Sequence, residues 1–269
     1  MSEAKPGPTT ALCRYEDQAV FYRGRDLVGD LLAGEPDFTA VMMAHILGRT
    51  PPPEHARALN AILIVLLEHG LTPSAIAARS VYMSAPENLQ GAVAAGLLAV
   101  GSQFVGTMEN CAALLERIRA APESERREAA RAIAVEHREA GRRAPGFGHH
   151  LHRPDDPRAI RLIEIGRELG LDRTHLPALL TLAEAVDAEA GKHVTINATG
   201  AAAALLGEMG VPVRLMRGFA VISRAAGLVA HIAEEQERPS GRFIWETIDK
   251  AIPYEPRSPG RGQARVMTP

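Results

Sequence analysis

Apolar positions along this chain recur at three- and four-residue intervals, and the elements they predict are helices. Asp37 or Thr39 is placed to cap a helix over 40–47, which Gly48 ends ahead of the Thr50-Pro51-Pro52-Pro53 corner. Leu59, Ile62, Val65 and Leu66 give one face to a strong helix over 54–68, stopped at Gly70. Pro73 opens the next helix, and Pro86-Glu87-Asn88 opens another through the small surface of Ala92-Val93-Ala94-Ala95-Gly96. Glu, Arg and Ala fill 122–143, with opposite charges three or four residues apart, the pattern of a solvated helix. Asp156-Pro157-Arg158 restarts a helix, Asp156 as N-cap and Pro157 as first helical residue. Asn197-Ala198-Thr199-Gly200 leads into an alanine-rich helix ending at Gly210, with Thr199 as its expected cap, and 219–235 is a long helix carrying Arg224 and His231. Strand patterning is confined to a short pair near 12–14 and 20–22. Residues 1–10 are polar and loose, and 256–269 form a disordered tail.

Composition sharpens this into a mainly α protein. Aromatics make up only 4% of 269 residues, so helices must pack through alanine and leucine. Thirty basic residues against 32 acidic ones leave a charge of -2, which disfavours a nucleic-acid binder. Cys13 and Cys111 are too few for a disulfide framework or a cysteine-rich zinc site, and a reduced cytosolic setting is expected. The opening MSEAKPGPTT has no signal pattern, and the longest apolar run, Ala61 to Leu67, is far below the roughly 20 residues of a membrane span.

Chemistry concentrates in Gly146-Phe147-Gly148-His149-His150-Leu151-His152-Arg153-Pro154-Asp155-Asp156-Pro157-Arg158. Glycines permit close backbone approach to a ligand, and the density of imidazole and guanidinium groups suits anion or carbonyl recognition. A metal centre fits poorly: the aspartate follows His150-Leu151-His152 one residue late for a histidine–aspartate metallohydrolase run, and no histidine comes after it. No metal is expected.

The same run resembles the GFGHRVYKxxDPRA signature of the citrate synthase superfamily. Further segments match in the same order: Tyr22–Leu27 is similar to YRGYDI, Leu67–Ala75 to the A-D-H-E-L-N-A-S segment, Asn88–Gly96 to DLYSAVAAG, and Ser223–His231 to the late S/A-R-T-x-G-W-I-A-H helix. Together they cover about residues 12–256, in a compact form that resembles the citryl-CoA lyase branch and the C-terminal module of ATP-citrate lyase.

That resemblance implies a two-domain helical fold, with 1–111 plus 217–257 as a large domain and 112–216 as an inserted small one. It implies carbon–carbon bond making or breaking beside a coenzyme A thioester, with an acyl-CoA and a di- or tricarboxylate as partners, no permanently bound cofactor and a homodimer. The Ala92–Gly96 surface suits either the dimer contact or an intramolecular crossing. By position, His149 matches the keto-polarising histidine, His69 a substrate-binding histidine, and Arg158 and Arg224 the carboxylate-binding arginines. The backbone of Ala144, Pro145, Gly146, Phe147 and Gly148 matches the loop that holds the CoA adenine.

Two positions depart from the pattern. Val105 stands where the enolate-stabilising histidine belongs, although the compact lyases tend to read G-D-R-F-G-G there, similar to Gly101–Gly106. Thr199 stands for the aspartate base, and the alternative register puts Ile196 there; either removes the carboxylate. Glu109, with Asn110 beside it, is the candidate replacement base, while Cys111 reads as a small core residue. Two functions follow: a citryl-CoA lyase or synthase with an altered enolisation site, or a protein that binds the CoA ester and carboxylate without turnover. Tight stoichiometric zinc would point instead to a hydrolytic reaction on the same fold.

Overall fold

The computed structural model describes residues 7–101 and 107–255, so the expectations for Val105 and for the 256–269 tail lie outside the described residues. In chain order these form strands β1 (Cys13–Glu16), β2 (Ala19–Tyr22) and β3 (Arg25–Asp26), then helices α1 (Phe38–Leu47), α2 (Pro53–Leu67), α3 (Pro73–Ser84), α4 (Leu89–Leu98) and α5 (Thr107–Ala120). There follow α6 (Arg126–Glu139), α7 (Pro157–Glu168), α8 (His175–Ala190), α9 (Ala198–Glu208), α10 (Val213–Glu237) and α11 (Gly241–Ala251). A mainly helical fold is what the periodicity predicts. The strand pair is present as part of a three-stranded antiparallel sheet in the order β1-β2-β3.

Most helix ends follow their local signals. Asp37, not Thr39, caps α1 by accepting from the Ala40 N–H at 3.0 Å, and Gly48 closes that helix at φ 73°. Asn197, rather than the expected Thr199, caps α9: its Oδ1 accepts from the N–H groups of Thr199 and Gly200, both at 3.1 Å. The Asn197 amide oxygen, two residues upstream, reaches those orphan donors, which puts Thr199 inside the first turn. The charged stretch opens on a 3₁₀ turn at Glu123–Glu125 before α6.

The contacts divide the chain into two compact units, Met1–His69 with Val100–Arg224 and Gly70–Ala99 with Ala225–Pro269, a cut that does not coincide with the expected domain boundaries. In the first unit α9 is the centre: every residue from Gly200 to Gly207 is buried, and α2, α5, α7 and α8 pack around it. Glycines let the neighbours approach, since a Cβ at Gly166 would meet Leu205 at 2.6 Å.

In the second unit a Cβ on Gly96 would lie 2.8 Å from the Ser74 carbonyl oxygen and 2.7 Å from Leu228, and Ser74 Oγ donates to the Gly96 carbonyl at 2.7 Å. The small-residue surface of α4 thus serves an intramolecular crossing. Beside it the buried Arg79 donates to Glu235 at 2.8 Å and also reaches Glu234, while Glu235 accepts the N–H groups of Ser240 and Gly241. By length and composition α10 is apolar enough to cross a membrane, which the sequence did not lead us to expect, yet half of its apolar window is buried inside the protein. Arg224 and Glu235, both buried, lie along it.

Candidate functional site

All the groups described here belong to the first unit. The loop between α6 and α7 is pinned to the segment before α9 from both sides. Gly148 N–H donates to the Thr195 carbonyl at 2.7 Å, Asn197 N–H donates to the Gly146 carbonyl at 3.0 Å, and Asn197 Nδ2 donates to the Gly148 carbonyl at 3.1 Å. Gly146 and Gly148 take φ of 89° and 79°, values that glycine adopts without strain. A Cβ at Gly146 would sit 2.5 Å from Cys111 Sγ, and one at Gly200 would sit 2.5 Å from the Gly146 carbonyl oxygen. Cys111 is fully buried with its thiol pushed up to about 12 by burial, so it packs against the loop as the core residue expected.

Asp156 organises the charges. Its carboxylate is fully buried, accepts the Arg158 and Ala198 N–H groups at 3.0 and 3.2 Å, and takes Arg158 Nε at 3.0 Å and Nη2 at 2.8 Å. So anchored, the Arg158 guanidinium faces two imidazoles: Nη2 lies 3.3 Å from His149 Nε2 and Nη1 lies 3.4 Å from His69 Nδ1. The His69 and His149 rings are 5.8 Å apart, edge to face, and His149 stacks on His152 at 4.4 Å.

The proton on His149 follows from its partners. Nδ1 accepts the backbone N–H groups of Leu151 and His152, both at 3.1 Å, so the neutral ring carries its hydrogen on Nε2. Burial, with the charges of His152 and Arg158, holds this imidazole below its ordinary pKa; burial, Arg158 and Arg224 do the same to His69. His149 Nε2–H and Arg158 Nη2–H are therefore two donors pointing at one place. An oxygen acceptor held between them relieves the opposition.

Arg224 adds a further cation with spare hydrogen-bonding capacity. It is 8% exposed, and its Nη1 is buried without a partner. Burial draws its pKa down while the Glu68 charge opposes this. A buried guanidinium nitrogen left unpaired is costly unless an anion arrives.

On the other side of His149 lies a cavity of about 530 Å³, a ligand-sized space. Phe147, Gly148, His149 and His152 form one wall, Arg142, Arg143, Arg153 and Lys192 bring positive charge, and Arg138 is paired with Glu189 of the same lining at 2.9 Å. His193 bridges Asp187 and Asp155 at 2.8 and 2.9 Å, and both contacts raise its pKa, fixing the loop's far end to α8.

The expected site residues thus fall into two groups. His149, His69, Arg158 and Arg224 converge, and Phe147 and Gly148 line the cavity, while Pro145 and Gly146 are not among its lining residues. Thr199 is held away from base chemistry: its hydroxyl donates to Asn197 Oδ1 at 2.7 Å and meets Thr107 Oγ1 at 3.0 Å. Glu109 is committed to an ion pair with Arg217 at 2.6 Å. Sequence reasoning passed over Asp156 as more than a cap; the signal was the Asp-Pro-Arg spacing, which returns the arginine onto its own capping carboxylate.

Donor atoms of His149, His152 and Asp156 fall within 4.8 Å of one another, close enough to hold a cation. The geometry already uses them, since Arg158 occupies the Asp156 carboxylate and backbone N–H groups occupy His149 Nδ1.

A mainly helical unit with an imidazole- and guanidinium-rich cluster beside a cation-lined cavity fits one class, the citrate synthase-like proteins. The chain belongs to the citrate synthase family: residues 10–245 match the family model described as citrate synthase, C-terminal domain. The solved citryl-CoA lyase of Hydrogenobacter thermophilus superposes with a TM-score of 0.81 and 32% identity, covering 93% of this chain and 95% of that one. An ATP citrate lyase from Methanothrix soehngenii, solved in complex with citrate and coenzyme A, shares the fold at a TM-score of 0.78 and 21% identity over 97% of this chain and 44% of its own. The 2-methylcitrate synthase of Shewanella oneidensis is 27% identical over 222 residues, 79% of this chain; the chain spans 57% of that synthase's length.

Proposed function

We propose that this protein binds a CoA thioester and a citrate-type carboxylate, and cleaves or forms the carbon–carbon bond between them, as in citryl-CoA giving acetyl-CoA and oxaloacetate or an analogous acyl-CoA pair. The observation that carries this is the set of unmatched donors: His149 Nε2–H facing Arg158 across 3.3 Å, with Arg224 Nη1 buried and unpaired. Neutral imidazole donates to a carbonyl or alkoxide oxygen without surrendering its proton, and the guanidiniums suit carboxylates in two-pronged contacts. The basic cavity beside His149 suits the phosphates of the CoA tail.

In the cleavage direction the hydroxyl of citryl-CoA gives its proton to water, the bond to the acyl α-carbon breaks as the keto group forms, and the thioester enolate that keeps the electron pair takes a proton from water to give acetyl-CoA. His149 steadies the oxygen that becomes the keto group, and Arg158 and Arg224 hold the carboxylates in place. Lyase rather than synthase is favoured by the near-equal length and coverage shared with citryl-CoA lyase. The same reading makes the protein a cytosolic homodimer, which sedimentation of the purified chain tests.

A second reading, binding without turnover, is favoured by Thr199. Its hydroxyl proton is already given to Asn197, so it is a poor substitute for a carboxylate base, whose loss costs roughly 10²–10⁴ in rate. A coupled assay with citryl-CoA, alongside calorimetry with CoA and citrate, separates the two. Cleavage that disappears in His149→Ala supports the lyase; binding with no turnover supports the second reading; absence of both overturns each.

A further inference from the structure

Away from this site, the β2–β3 turn and the C-terminal end of α1 enclose a pocket of about 160 Å³. That is room for about five waters at their liquid volume, the scale of a phosphate ion. Arg23, Arg25 and Arg49 all line it. Arg25 is neutralised by a two-pronged pair with Asp30, at 2.8 and 2.6 Å. The other two cations have no carboxylate partner among the described residues: Arg23 donates through Nε to the His45 carbonyl at 2.7 Å, and Arg49 through Nη2 to the Met209 carbonyl at 2.5 Å.

Two further features single out this pocket. Arg23 has a φ of 48°, the only positive value for a non-glycine residue among the described residues, so the turn accepts strain to keep an arginine there. His45, in the same lining, has a buried Nδ1 without a hydrogen-bond partner. Guanidiniums without a carboxylate partner, gathered in one small concavity beside an unpartnered imidazole nitrogen, suit an anion.

We propose that this pocket binds a phosphoryl group, with Arg23 and Arg49 as its two guanidinium contacts and His45 as an additional donor. Their two charges match a dianion, and its bonds to Arg49 would load the carbonyl end of α9, the helix whose opposite end carries Asn197 and Thr199.

The test is calorimetric titration of the full chain with inorganic phosphate, and separately with adenosine monophosphate. Arg23→Asn keeps a residue type that tolerates positive φ while deleting the guanidinium, and Arg49→Met keeps the aliphatic stem. Each should weaken phosphate binding at least roughly tenfold, as expected for losing a charged hydrogen bond. Because the large cavity offers cations of its own, the titrations are also run in an Arg142→Ala, Lys192→Ala background, where the component that depends on Arg23 and Arg49 should persist. In that background, tighter binding of the nucleotide that is lost in Arg23→Asn identifies a phosphorylated metabolite as the ligand; equal binding identifies free phosphate. Should Arg23→Asn bind phosphate as the parent does with its melting curve unchanged, or should no saturation appear up to about 10 mM, the proposal is overturned.

Discussion

Exchanging Asp156 for Asn removes a charge while keeping a capping oxygen of the same length, so it isolates what the carboxylate does for Arg158. The carboxylate is fully buried and the arginine side chain is 26% exposed. Breaking a fully buried ion pair costs about 3–5 kcal/mol; water reaching part of Arg158 recovers some of this, leaving about 2–3 kcal/mol. The cap itself, typically about 1 kcal/mol, is retained because asparagine caps as well as aspartate. Burial works to raise the Asp156 pKa, but the Arg158 hydrogen bonds and charge, with the Arg158 and Ala198 N–H groups, outweigh it and hold the carboxyl below its usual range. A depressed carboxyl contributes stability that is complete above its unfolded value of about 3.9 and is lost as pH falls through the lower folded value. Urea unfolding followed by circular dichroism should therefore show the full gap between parent and variant at pH 7, closing below about pH 4. A gap under about 0.5 kcal/mol at neutral pH, within the range of an ordinary surface change, or one that persists undiminished in acid, would refute the assignment of the energy to this charge.

Other expectations rest on single features. Gly200→Ala should destabilise by about 1–3 kcal/mol, because the added methyl meets the Gly146 backbone rather than a movable side chain, a loss that thermal unfolding reads. Arg224→Met should weaken citrate binding yet raise the melting temperature of the ligand-free protein, since a buried guanidinium with one nitrogen left without a hydrogen-bond partner is replaced by an apolar chain of similar length. His69 and His149 both have lowered pKa values, so the stability tied to their neutral rings is present above about pH 6.5 and lost as pH falls. His149→Asn should flatten part of that decline between pH 7.5 and 5.5; an unchanged profile counts against it. A thiol reagent should label one cysteine rapidly in the folded chain, the exposed Cys13, and reach Cys111 only on unfolding.

Much of this protein was legible because its helices carry explicit punctuation. Gly48, Asp156-Pro157 and Gly210 each mark a helix end where the chain has one, and the glycine–histidine run marks the site. Two other helices carry weaker marks at their starts. The residues of α8 were passed over because Thr174 makes no capping bond and Pro177 sits near its start. Likewise α11 was missed because Phe243 and Trp245, its large apolar residues, face outward at 72% and 61% exposure. At the site, His149, Arg158 and Arg224 could be named from the resemblance, but not the opposition of donors between them. That depends on two backbone N–H groups claiming one nitrogen of His149, and no linear pattern encodes it. Thr199 shows the same limit: its position was readable, whereas its hydrogen bond to Asn197 came only with the fold.

The interlock of Gly146, Gly200 and Cys111 also constrains how this sequence can drift. A side chain acquired at either glycine collides with the other strand of the contact, and a larger residue at position 111 presses on the same loop from beneath. These three positions, 35 and 54 residues apart along the chain, behave as a single heritable unit: none can enlarge alone without tilting the histidine loop. Descendants of this chain are therefore expected to vary freely in the charges around the cavity while keeping this trio small, so new ligand preferences can arise on a loop whose seat does not move.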